Sequence, residues 1–177
     1  MFMTLFRRSA KGGGLPKTGQ VFSYFPGDDG YYQKGLPQFG ARFAGNGDGT
    51  VKDKATGLIW IMDPSLIGDY IWGNPGSPNR MFWQDAVHNS EGLVYGGYKD
   101  WRLPNIHELM SIIEYSLSNP SVDGHAFPYT QLDSYWSSTT VSERTDCVWG
   151  VDFKDGSGLK CKKEGEQFFV RPVRGGC

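Results

Sequence analysis

The chain has 177 residues and carries 18 Lys and Arg against 19 Asp and Glu, a formal net charge of −1, so it lacks the global basic field that concentrates nucleic acid or anionic lipid. Its length is that of one ordinary domain able to bury about 70% of its unfolded surface, and a composition of 38% hydrophobic and 15% aromatic residues with 25 Gly and 6 Trp argues against disorder and against a helical bundle. No run approaches the roughly 20 apolar residues that cross a bilayer, and "MFMTLFRRSA" has too short an apolar core, with its charges on the wrong side, for a secretory signal; direct membrane insertion is not expected.

Residues 1–36 are rich in Gly, Pro and Tyr without a sustained period and read as an irregular N-terminal arm, followed by one domain over 37–177. Within the arm, "LPKTG" resembles a sorting signal but stands far from the C-terminus, and "GGGLPKTGQ" has Pro16 where a phosphate loop needs Gly. The segment "RFAGNGDGTVKDKATGLIWI" then predicts a hairpin, because Asn-Gly and Asp-Gly tolerate positive φ between apolar runs. Asn46 and Asp48 are suited to a turn; the spacing of an EF-hand with its terminal Glu is missing, which leaves calcium unsupported. A first helix is predicted over 79–94, with Asn79 as its cap and Phe82, Ala86, Asn89 and Leu93 along one face. A second begins after Asn105, with Glu108 completing a capping box, Ile106, Leu109, Ile112 and Ile113 as its buried stripe, and Asn119-Pro120 as its stop.

After a loop over 119–132, alternating segments predict strands at Tyr135–Thr140, Val148–Lys154, Leu159–Lys163 and Gln167–Arg174, an antiparallel meander to the end. Strands and helices are segregated, so the fold class is α+β, two helices packed on antiparallel sheets. In Trp149, Val151 and Phe153 every second residue is bulky and apolar, which predicts a core face, with Gly150, Asp152 and Lys154 on the opposite face.

Catalytic patterns are absent. His88, His107 and His125 show no ligand spacing, no Gly-x-Ser-x-Gly elbow surrounds a serine, and no metal or cofactor is implied. Cys147, Cys161 and Cys177 form no CxxC pair. A turn at Asp155–Gly158 would set Cys161 opposite roughly Asp152 and Cys147 opposite roughly Glu166, so no disulfide is expected between them. Trp101-Arg102, Trp136, Trp149 and the arginines of "VRPVR" read as framework.

"LPKTGQ", "NGDGTVKDKATGLIW", "WQDAV", "GGYKDWRLPNIHEL", "YWSSTT", "VWGVDFKDG" and "FVRPVRGG", in this order, resemble the C-terminal domain family of the collagen-like bacterial adhesin Lcl, which is similar in fold to C-type lectins. The closing segment also resembles the variable proteins of diversity-generating retroelements of bacteria, phages and archaeal viruses, in which adenine-directed codon changes rewrite a displayed surface. That resemblance implies a fixed framework of Tyr135, Trp136, Ser137, Ser138, Thr139, Trp149, Val151, Phe153, Asp155, Gly156, Lys163, Val170, Arg171, Val173 and Arg174. It implies ligand-binding display positions at Val141, Glu143, Arg144, Asp146, Cys147, Gly150, Asp152, Ser157, Leu159, Lys160, Cys161, Lys162, Glu164 and Glu166. Lys160, Lys162, Glu164 and Glu166 depart from the pattern, since an Asn codon altered at its two adenines yields neither Lys nor Glu.

The expectation is a non-enzymatic protein that recognises a protein or glycan ligand on a cell or virus surface, itself surface-exposed or virion-associated. The alternative is a fixed-specificity glycan-binding adhesin domain using Lys154, Lys160, Lys162 and Lys163 as a basic patch. Arg102-Leu103-Pro104 is also comparable to a motif of formylglycine-generating enzymes, but these need a close reactive cysteine pair.

Overall fold

The computed structural model describes residues 14–37, 42–64 and 79–176; residues 1–13 of the arm and Cys177 lie outside the described residues. The described part of the arm, from residue 14, is irregular apart from a single helical turn, α1 (Asp29–Tyr32), whose N-cap is Asp28. Three short strands follow, β1 (Phe43–Gly45), β2 (Thr50–Asp53) and β3 (Ile59–Ile61), in an antiparallel meander. Its first turn is shaped by Asp48, which accepts from Thr50 N at 2.9 Å and Thr50 Oγ1 at 2.5 Å. At Gly49 φ is +83° and a Cβ would meet the Tyr95 hydroxyl at 2.2 Å, so both backbone and space require glycine.

Next come β4 (Arg80–Met81), α2 (Trp83–Glu91) and α3 (Ile106–Ser111), then β5 (Ser134–Val141), β6 (Arg144–Asp152), β7 (Gly158–Lys162), β8 (Phe168–Phe169) and β9 (Val173–Arg174). They form a four-stranded sheet in the order β1-β2-β3-β9 and a five-stranded sheet in the order β4-β8-β5-β6-β7. The α+β class is therefore as the segregation of strands and helices predicts. No described helix is long and apolar enough to cross a membrane.

Several sequence expectations are corrected. Asn79 does not cap α2: it is buried with φ 68°, and its amide donates to Val170 O, tying the entry of β4 to the final segment. The helix begins instead at Trp83, after Phe82 and without a side-chain cap. α3 has the expected capping box but stops at Ser111, because Glu114 N pairs with Ser121 O at 2.8 Å and draws the chain away. Ile112 and Ile113 are still fully buried, but from a turn. Gln167–Arg174 is not one strand closing a meander. Phe168–Phe169 inserts between β4 and β5, parallel to β5, whereas Val173–Arg174 crosses to the other sheet and pairs with β3.

Arg171 stands at that crossing, wholly buried between the Phe127 and Tyr135 rings. It donates to Ile61 O and Met62 O at 2.9 Å and to Thr130 Oγ1 at 2.8 Å. Three acceptors replace much of the water it has lost, as a buried cation requires, and the contacts join the end of β3 to the face of β5.

The β5–β6 pair is covered on both faces. Tyr135, Val151 and Phe153 pack with Leu109 of α3 and with Trp60, while Trp136, Val148 and Cys161 pack with Ala86 of α2 and Met81. The expectation that the neighbours of Trp149, Val151 and Phe153 face outward therefore fails along the inner half of β6. Only the end of the β5–β6 hairpin, 142–146, is exposed without interruption.

Candidate recognition surface

The exposed end of the hairpin is positioned by the "SSTT" run of β5. A bulge after Trp136 interrupts its pairing with β6. Ser137 Oγ donates to Trp149 O at 2.5 Å, Ser138 N donates to Pro104 O at 2.8 Å, and Thr139 Oγ1 accepts from Ile106 N at 3.0 Å. Small hydroxyl side chains satisfy both the bulge and the start of α3, a use of donors and acceptors that apolar residues cannot supply. Beyond the bulge, Val141 pairs with Arg144 and the chain turns through Ser142 and Glu143.

The fourteen display positions fall into distinct environments. Glu143, Arg144, Asp146, Lys162 and Glu164 are exposed near this end of the sheet. Arg144 and Asp146 approach at 3.5 Å, and Glu166, half-buried, accepts from Lys162 N at 3.1 Å. Val141, Cys147, Gly150 and Cys161 are buried instead, and Leu159 packs on the second core cluster. A Cβ on Gly150 would lie 2.9 Å from Tyr135 O and 3.3 Å from Cys161 Sγ, so this position has no room for a varied side chain.

Asp152 and Ser157 belong to a third place. They shape the β6–β7 turn, where Asp152 Oδ1 accepts from Lys154 N at 2.8 Å and Asp155 Oδ1 accepts from Ser157 N at 2.9 Å. Arg144 and Asp152 are the two ends of a nine-residue strand, about 26 Å apart at roughly 3.3 Å per residue. One small ligand cannot span both. The same separation divides the expected basic patch, since Lys154 sits at the turn and Lys162 near the other end. Lys160 and Lys162 do share a face of β7, and Lys160 Nζ lies 5.0 Å from the Trp149 ring centre.

The start of α2, the "WQDAV" segment, is not among the expected display positions but completes the surface. A cleft of about 450 Å3 is lined by Gln84, Thr145, Asp146, Lys162, Lys163 and Glu164. A neighbouring one of about 330 Å3 shares Gln84, Lys163 and Glu164 and adds Phe82, Asp85 and Gly165. Lys163, expected as framework, sits in both, its Nζ 4.6 Å from the Trp83 ring centre. Both charge signs line these clefts. Lys163 is placed by the β6–β7 hairpin, its N donating to Asp146 O at 2.9 Å, whereas Gln84 arrives with α2, which packs on Trp136 of β5, a long-range contact without a local signal.

Cys147 and Cys161 are not joined by a disulfide. Cys161 pairs in register with Val148 and Cys147 with Lys162, each four residues from the partner expected from the sequence, because the turn lies two residues earlier, where Asp152 N donates to Ser157 O at 2.9 Å. Both thiols are free and buried, and burial, reinforced by the Glu166 carboxylate, pushes the Cys161 thiol up to about 12, away from the thiolate that reactive cysteines need. Among the described residues, no group of three His, Cys, Asp or Glu could hold a metal ion.

A family model, the Lcl C-terminal domain, matches residues 49–174, more than half of the chain. No curated protein matches it.

Proposed function

The chain belongs to the Lcl C-terminal domain family, and on that premise we propose that it is a non-enzymatic, adhesin-like recognition module with a C-type-lectin-like fold. Its ligand surface is the end of the five-stranded sheet formed by 142–146, 162–166 and the start of α2. The observation that carries this reading is the pairing of two clefts sharing Gln84, Lys163 and Glu164 with a hairpin end exposed from Ser142 to Asp146. Rigid packing beneath exposed loops is the arrangement in which contact residues change without unfolding the core. Within that surface Glu143, Arg144, Asp146, Lys162 and Glu164 are the display positions best placed to differ between variants.

A test is to measure binding of the purified chain to arrays of glycans and of cell-surface proteins, then to compare Lys163→Ala and Glu164→Ala with Ser157→Ala on whatever ligand is captured. The first two should weaken binding by about ten-fold each, an ordinary loss of roughly 1.4 kcal/mol for an interface contact, and Ser157→Ala should leave it unchanged. Equal effects from all three would place recognition elsewhere. Diversification itself is decided by sequencing the gene's neighbourhood for a near-copy of its 3′ end that differs only opposite template adenines.

A second reading, a fixed site for sulfated glycan, is favoured by Lys160 and Lys162 sharing one face of β7. It requires affinity for a sulfated polysaccharide to fall steeply as salt rises; salt-independent binding counts against it.

A further inference from the structure

Residues 14–37 lie outside the matched span and build a separate cleft of about 700 Å3 against the turn that follows α3, with Thr18, Phe22, Tyr24, Asp29, Tyr115 and Ser116 among its lining. The backbone of this arm is closely built. The Asp28 carboxylate accepts from Tyr24 N at 2.7 Å, Phe25 N at 3.2 Å, Tyr31 N at 2.9 Å and Gln20 Nε2 at 3.0 Å. A Cβ on Gly30 would stand 2.0 Å from Phe22 O, so the two segments approach as only glycine allows. Thr18 O accepts from Tyr115 N at 2.9 Å and fastens the arm to the domain. On this ordered backbone the large apolar side chains point into water: Phe22 is 72% exposed, Tyr24 84% and Tyr115 55%. Ordering a segment costs about 1–2 kcal/mol per residue, and these rings recover little of it by burial, which marks them as a contact surface.

The charge of the cleft narrows the ligand. Asp29 lines it, its Oδ2 accepting from Thr18 Oγ1, and no Lys or Arg does so among the described residues. Behind Gly19 and Ser116 lies a second carboxyl group, Glu114, buried with Oε2 unpartnered. Aromatic rings beside an uncompensated carboxylate are the two components that bind organic cations. The geometry points to a site for an alkylated ammonium group, distinct from the 142–166 surface, in which Phe22, Tyr24 and Tyr115 enclose the cation and Asp29 supplies the opposite charge.

The test is an NMR titration of the full chain with choline and with its neutral tert-butyl isostere. Choline should saturate, with shifts confined to the arm and to Tyr115. The isostere and Asp29→Asn should each bind about ten-fold more weakly, and Tyr24→Ala should abolish binding at an unchanged melting temperature. Equal binding of the isostere, preference for neutral saccharides or a proline-rich peptide, or no saturable shift would each overturn the assignment. Sedimentation with phosphatidylcholine vesicles then separates two sources of the same group: retention assigns lipid headgroups, and choline binding without retention assigns soluble or glycan-borne ammonium. Both support the site.

Discussion

Gly150 shows how far a single residue can mislead. Between Trp149 and Val151 it reads as an outward position, yet it is buried, opposite Trp136 on one side and Leu159 on the other. Alternation shows that two faces exist but not that the second face is covered, because α2 and β8 reach it from distant parts of the chain. Gly150→Val should therefore destabilise the fold by about 1–3 kcal/mol through overpacking against Tyr135 O and Cys161 Sγ. Lys160→Ala, exposed on the edge strand β7, should stay within about 0.5 kcal/mol. Urea unfolding of both variants separates the cases, and a tolerated valine would return Gly150 to the displayed set. Arg171 is the opposite example: "VRPVR" reads as framework, and its buried guanidinium serves as such.

At the scale of elements, what is encoded locally was readable and what depends on distant partners was not. Asn105 and Glu108 are three residues apart and form the capping box that their spacing predicts, Asn105 Oδ1 accepting from Glu108 N and Glu108 Oε2 from Asn105 N, both at 2.9 Å. Glu108 also takes Arg102 at 2.7 Å through both oxygens, so one carboxylate serves the helix start and the end of the chain, where Arg102 reaches Gly175 O. The helix end, by contrast, is set by Ser121, and the division of β8 from β9 by an exchange between sheets, neither of which leaves a periodic trace. Since α3 has only six residues, its N-terminus matters in proportion: Asn105→Ala should cost about 1 kcal/mol and Asn105→Asp little. An alanine variant with the wild-type urea midpoint would show that Thr139, bonded to Ile106 N, holds the helix start unaided.

For the whole molecule, two buried acids of opposite behaviour contribute to the response to pH. Asp53 is buried, which opposes ionisation, but its bonds to Arg42 at 2.8 and 2.6 Å prevail and hold its pKa below the ordinary 3.8. Arg42 also donates to Ser111 O at 3.0 Å, so this pair ties β2 to the end of α3. A depressed folded pKa contributes stability that is present above 3.8 and is lost as pH falls through the folded value. Glu114 is raised above 4.5, chiefly by burial, with Ser116 and Arg42 opposing and Asp123 adding to the shift. Its contribution has the reverse sign, complete below 4.5 and lost as pH rises through the higher folded value. Stability should therefore increase as pH falls through the raised Glu114 value towards about 4.5 and decline below 3.8. Melting temperatures measured across that range should show the maximum, Glu114→Gln should remove the rise on its alkaline side, and Asp53→Asn should weaken the fold above 3.8 and flatten the acid limb. A Glu114→Gln profile with the same alkaline slope as wild type would mean that the carboxyl beneath the arm is not what limits stability near neutral pH.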